Sequence, residues 1–308
     1  MRPHGRATAL LITGLLVAGV LAAGPAAAED PPFVPWTSIL PTLTSGYDPT
    51  SSNICVSGKL RCVDAVIAEM QRRFKPQAKS CDHDATFSLT YLRTTEEYRR
   101  AATTPDFFDD AAFVNHEDAV FARYYFDHYD NWHAGRTAKV PVAWQIALAA
   151  ADTQEVSGAG NLFLGMAAHI NRDLPFVLAE IGLVKPDGSS RKPDHDKVNV
   201  FLNRVTEPLL AEIARRFDPS VSSNDVPGTQ VDATALFQLV ATWREQAWRN
   251  AERLATAGSM LGRNLIVQEI ETAAANIQWT LRTENAYREP ASSPGPRNAF
   301  CAVHWNDP

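Results

Sequence analysis

The chain has 308 residues, of which 45% are hydrophobic, 21% charged and 9% aromatic, a balance that excludes disordered, collagen-like and multi-span membrane chains. Acidic residues outnumber basic ones by 35 to 29, giving a net charge of −6, so nucleic acid is not expected as a partner. Arg2 and Arg6 precede an apolar run from Ala7 to Gly24, and Ala26-Ala27-Ala28 supplies an A-x-A cleavage site before Glu29. That is the layout of an export signal over residues 1–28, and it predicts a secreted or otherwise extracytoplasmic mature protein. Beyond it, Arg, Asp, Glu or Gln interrupts every apolar stretch before the roughly 18–20 residues needed to span a bilayer, so no transmembrane span is expected in the mature chain.

Residues 29–58 contain Pro31, Pro32, Pro35, Pro41 and Pro49 with a Ser/Thr-rich run, which predicts an extended arm strapped over a surface. Val63, Val66, Ile67, Met70 and Phe74 then repeat at helical spacing. A second helix is expected over about 84–102, with a capping-box pair, Thr94 and Glu97, marking a new start inside it. Asp106 to Asp110 read as a turn and cap before a helix to about Trp132, ended near Gly135. Pro141 sits at a helix start, Val142 to Ala151 is apolar nearly all round, and 159–182 is similarly apolar and ends at Gly182. After a polar loop over 185–193, Asp194 is placed to cap a helix with the stripe Val198, Leu202, Val205, Leu209 and Ile213, which Pro208 should kink or divide. Asp232 to Ala257 and Ser259 to Tyr287 give two more helices. The expectation is an all-α, single-domain helical bundle of about eight helices over 59–287, with an irregular tail over 288–308.

Four cysteines in an exported chain without a C-x-x-C pair read as two disulfides. Three pairings are open; Cys55–Cys62, closing a short loop, with Cys81–Cys301, tying the tail to the body, is the one expected.

Two helical faces carry groups suited to chemistry. Leu162, Met166, His169, Asp173 and Phe176 fall in one sector, so an imidazole and a carboxylate lie a turn apart on an apolar stripe. Val114, Asp118, Phe121, Tyr125, His128 and Trp132 share another. Asp194-His195-Asp196 is a third segment, with a helix cap as its plainest explanation. Such buried polar groups must be paired or liganded. His169 and Asp173 either satisfy each other or face a metal or substrate. If the segments converge, His169, Asp173, Asp118 and His195, joined by His128 or Asp194, form a donor set that zinc or another divalent metal accepts. His133 sits at a helix C-terminus, where a dipole contact explains it, and His83, His116 and His304 have no partner pattern and are expected at the surface. Trp243 and Trp248 should pack while Arg244 and Arg249 pair with acids. No G-x-S-x-G, H-E-x-x-H, P-loop or G-x-G-x-x-G pattern is present.

The run from Gly165 to Pro175 resembles the A-H-I-N-x-D-L-P signature of an uncharacterised bacterial family, domain of unknown function 5995. Phe107-Phe108 with Asp118 and Phe121-Ala122, Asp194 with Val198-Asn199, and Arg244 with Ala247-Trp248 and Ala251-Glu252 resemble it in the same order, across roughly 60–285. The resemblance implies a helical fold and singles out His169, Asn171, Asp173, Asp118, Asp194 and Asn199 without giving them roles. The H-x-x-x-D helix is also similar to one element of the helical zinc-dependent phospholipases C and single-strand nucleases, which use several such helices and an N-terminal tryptophan. Here there is one such pair, and Glu29 follows the cleavage site. Two functions are therefore expected to compete: a divalent-metal-dependent hydrolase of esters or phosphoesters, and a non-catalytic binder of an apolar, amphipathic or lipid-like small molecule oriented by His169 and Asp173.

Overall fold

A computed structural model describes residues 46–222 and 231–308; the expected export signal and most of the proline-rich arm lie outside the described residues. The described chain is all-α. Helix α1 (Leu60–Ser80) buries Val63, Val66, Met70 and Phe74, as the spacing requires, and ends where Cys81 takes a left-handed conformation. It packs on α2 (Ala85–Ala102), which runs unbroken through Thr94 and Glu97. The capping box expected there has no role, because Tyr91 and Tyr98 are buried on either side of it and hold one continuous helix. Helix α3 (Ala111–His133) starts at Asp110, whose carboxylate accepts from the Phe113 amide. Arg73 ties α1 to α3 by two hydrogen bonds to Asp130 of 2.6 and 2.8 Å.

Helix α4 (Val142–Asp152) buries seven of its eleven residues, with Val142 and Asp152 at its ends exposed. The next rod comprises α5 (Gly158–Ala167), a π-helical segment (Ala168–Asp173) and α6 (Leu174–Ile181). Helix α7 (Lys192–Arg216) passes through Pro208 without dividing. Pro208 is exposed there, and so is Arg204, whose carbonyl the proline leaves without its usual amide and within reach of water. Arg93 clamps α7 to α2 through both oxygens of Glu212, at 2.7 and 2.8 Å. Helices α8 (Val231–Ala255) and α9 (Met260–Glu284) complete the bundle, with α6 against α8 and α4 against α9.

The C-terminal region departs from expectation. Pro294–His304 is a tenth segment, α10, with proline at its first turn, where a missing amide hydrogen costs nothing. Both expected disulfides are present, Cys55–Cys62 and Cys81–Cys301, the second joining α10 to the end of α1. Gly58, inside the small loop, has φ +62°, and a β-carbon there would overlap the Ala112 carbonyl. Among the described residues no helix is long and apolar enough to cross a membrane.

Candidate functional site

Helices α2, α3, α7 and α8 and the rod from Met166 to Leu174 line a cavity of about 140 Å³. Its walls are mostly apolar: Phe87, Val114, Phe121, Ile170, Phe201, Leu202 and Val240 are among the lining side chains. Polar groups reach it from α2 (Tyr91), from α3 (Glu117 and Asp118), from the π segment (His169) and from α8 (Arg244). A π turn widens the helix by one residue, a feature common at functional sites. Both His169 and Asp173 lie in it, and Asn171 donates to the Ala167 carbonyl at 3.1 Å, supplying that carbonyl with a partner inside the widened turn.

Asp173 is fully buried and saturated with donors. Oδ2 accepts from Trp144 Nε1 at 2.7 Å and from His169 Nδ1 at 2.9 Å. Oδ1 accepts from Arg172 Nη1 at 3.1 Å and lies 3.2 Å from His128 Nε2. Burial alone would raise its pKa; His128, His169 and Arg172 more than reverse this and hold the carboxyl far below the usual range. The anion in turn fixes the His169 tautomer: Nδ1 carries the hydrogen and donates. The His169 ring stacks flat on Phe121, with centroids 3.5 Å apart, and meets Tyr91 edge-on. Burial depresses its pKa despite the Asp173 bond, so the imidazole is neutral at pH 7 and Nε2 bears a lone pair.

Three buried polar atoms of the lining residues have no partner among the described residues: His169 Nε2, Asp118 Oδ2 and Tyr91 Oη. Burial, with Glu117 adding like charge, pushes the Asp118 carboxyl up to about 8, and burial with Asp118 close by pushes the Tyr91 phenol well above its ordinary value. Burial, against the pull of Arg244, raises Glu117 to about 7. Arg244 donates from Nε to Asn199 Oδ1 at 2.9 Å and from Nη2 to the His195 carbonyl at 2.7 Å.

The structure thus brings His169 and Asp118 to the cavity wall, with Asp173 bonded to His169 outside the lining and His128 behind Asp173. Asn199 acts through Arg244. Asp194 is elsewhere: its carboxylate accepts from the Asp109 and Asp110 amides at 2.7 and 2.9 Å, so it organises the turn before α3 and leaves its own helix, which begins at Lys192, without a side-chain cap. His195 packs on Trp248, and its Nε2 lies 3.3 Å from the Arg244 carbonyl. The expected metal set of His169, Asp173, Asp118 and His195 does not converge. Among the described residues, the group whose donor atoms all lie within 4.8 Å of one another is Asp84, His133 and Asp152, outside this cavity. There His133 Nε2 lies 3.3 Å from Asp84, and Asp152 accepts from Trp132 at 2.7 Å. His83 and His116, expected at the surface, are buried: His83 Nε2 donates to Asn298 and His116 Nδ1 to the Cys55 carbonyl, each at 2.9 Å. Trp243 and Trp248 are buried as expected, and Arg249 pairs with Glu245 and Glu252.

Tyr91 and Glu117 were not among the residues singled out by sequence. The signal for Tyr91 is the stripe Phe87, Thr90, Tyr91, Thr94, Thr95, Tyr98, an aromatic face interleaved with hydroxyls at helical spacing. An apolar helix face broken by regular polar groups is what one wall of a mixed pocket looks like.

The model of a family of unknown function, DUF5995, matches residues 63–284, and the chain belongs to that family. The match contains every residue lining the cavity. Comparison with curated proteins and with solved structures finds no match.

Proposed function

We propose that the protein binds an apolar or amphipathic small molecule in this cavity, outside the reducing cytosol, with His169, Asp118 and Tyr91 addressing the molecule's polar end. The observation that carries the reading is the cavity itself: apolar walls around three buried polar atoms that lack a partner among the described residues. An unmatched buried polar group costs about 1–3 kcal/mol, so three in one place are accounted for by a ligand that completes them. The two disulfides and the N-terminal signal layout support the compartment.

The metal-dependent hydrolase has less behind it. All four nearby donors are already spent on Asp173, which leaves its oxygens engaged, and His195 is held against Arg244. Solvent extraction of the purified protein followed by mass spectrometry tests the binding reading. A co-purifying apolar molecule is expected, which on re-addition at 100 times its Kd adds about 2.7 kcal/mol to stability. Val205→Trp, which fills the cavity from α7, should abolish both the co-purification and the stabilisation. A chelator should leave the melting temperature unchanged. An empty wild-type protein indifferent to apolar ligands, but stabilised by zinc through His169, would reverse the preference.

A further inference from the structure

The polar end of the cavity is composed as an acid–base set. His169 offers one lone pair, at Nε2, because its other nitrogen is committed to Asp173 at 2.9 Å. Tyr91 and Asp118 each offer an O–H at neutral pH, Asp118 because its carboxyl is pushed up to about 8. Among the described residues no serine or cysteine lines the cavity; of its four threonines, Thr90, Thr95 and Thr206 donate to carbonyls one turn back, and Thr94 is half-buried on the same face of α2. The site therefore offers an imidazole base and two O–H donors, with Glu117 and Arg244 also on its lining and no serine or cysteine nucleophile, which separates it from acyl transfer through such a residue. A cavity of this size encloses about one hydrocarbon ring.

Resting on the pocket reading above, we propose that the cavity catalyses proton transfer beside the carbonyl of an apolar ketone, with His169 as general base and Tyr91 and Asp118 as hydrogen-bond donors to the carbonyl oxygen. Nε2 takes a proton from the carbon next to the carbonyl. The C–H electron pair becomes the carbon–carbon double bond of an enolate, and the carbonyl π pair moves to oxygen, where the two O–H groups receive it. The imidazolium, its Nδ1–H still held by the Asp173 anion, then returns the proton from Nε2 to carbon. Returned to the same carbon, it produces exchange with solvent. Returned two carbons further along a β,γ-unsaturated ketone, it moves the double bond into conjugation. Nothing else is consumed. Asp173 does not touch the substrate; it positions the ring and balances the charge that forms on it.

The test uses the full chain with the β,γ-unsaturated cyclohexenone in deuterated buffer. Ligand-observed NMR follows binding, and deuterium incorporation together with the absorbance of the conjugated enone follows proton transfer. Wild-type protein should accelerate exchange by at least about 100-fold over buffer, the low end of what a positioned general base supplies. His169→Gln should remove that acceleration while the ketone still binds. Tyr91→Phe, which deletes only a hydroxyl and serves where His169→Gln folds poorly, should lower the rate by about tenfold or more. Ketone bound with exchange at the buffer rate, or acceleration undiminished in a folded His169→Gln protein, overturns proton transfer and leaves the binding pocket standing. If neither the ketone nor its alcohol and hydrocarbon analogues bind, the pocket reading falls and this one with it.

Discussion

Asp118 is a carboxyl kept in its acid form by where it sits. Its pKa of about 8 in the folded protein, caused by burial and then by Glu117, compares with about 3.9 in an unfolded chain. Between those values the native state holds a proton that the unfolded state has released, so this group makes stability fall as pH rises from about 4 to about 8. Asp118→Asn removes the liability. Its melting temperature should match wild type near pH 4 and exceed it increasingly towards pH 8; a constant offset across that range would mean that Asp118 is ionised in the native protein. The opposite sign applies to Asp173, whose depressed pKa contributes stability above the unfolded value that is lost as pH falls. At this scale the sequence exposed the pairing of His169 with Asp173, because helical spacing alone puts them together. It did not expose Trp144, Arg172 and His128 as further partners of the same carboxylate, since these contacts depend on how three segments meet. That saturation leaves both oxygens of Asp173 engaged within the protein.

Among the elements, the rod that carries the site packs closely on α2 at a glycine. A β-carbon at Gly165 would lie 2.2 Å from the Phe87 ring, which lines the cavity from α2. Gly165→Ala gains up to about 1 kcal/mol of helix propensity but must displace a buried aromatic, and overpacking of that kind costs about 1–3 kcal/mol. We expect a net loss of stability together with weakened uptake of the cavity ligand, read by denaturant unfolding and by ligand-induced melting shift. An alanine variant more stable than wild type with unchanged uptake would show that Phe87 moves freely. Most helices were legible because their apolar stripes are strict. The π segment was not, because a widened turn has no residue signature of its own. Asp194 was misread as a cap because the amides of Asp109 and Asp110, 85 and 84 residues earlier, compete for the same carboxylate.

For the whole molecule, the two disulfides differ in the length of chain they close. Cys81 and Cys301 are 220 residues apart and Cys55 and Cys62 only 7. In the chain-entropy account the longer closure contributes about 5 kcal/mol and the shorter about 2 kcal/mol. Replacing the first pair by serines should therefore lower the denaturation midpoint more than replacing the second, and the reverse order would place the importance of the small loop in packing against α3. The long closure has company. Arg297 on α10 is buried and donates to His83 Nδ1 at 2.8 Å, to Asn161 Oδ1 at 2.6 Å and to Thr86 Oγ1 at 3.0 Å. Burial and Arg297 together push His83 down to about 4, which keeps the ring neutral. The cysteine count made two disulfides legible and left three pairings open, of which the structure has the one expected. The role of α10 was not, because its Pro-Gly-Pro start resembles a loop and its partners lie more than 130 residues away in sequence.

The widened turn at Ala168–Asp173 also acts as a phase shifter. It adds one residue to the helical count, so α6 leaves it rotated by about 100° from the direction an unbroken α5 would have set. The two halves of one rod can then present their apolar faces to different neighbours, α5 to α4 and α9, α6 to α8 and α3. Substitutions within the turn alter one side chain each, whereas deleting a single residue from it would re-aim every contact of α6 at once. In this protein the site depends on chain length as strictly as on chemistry.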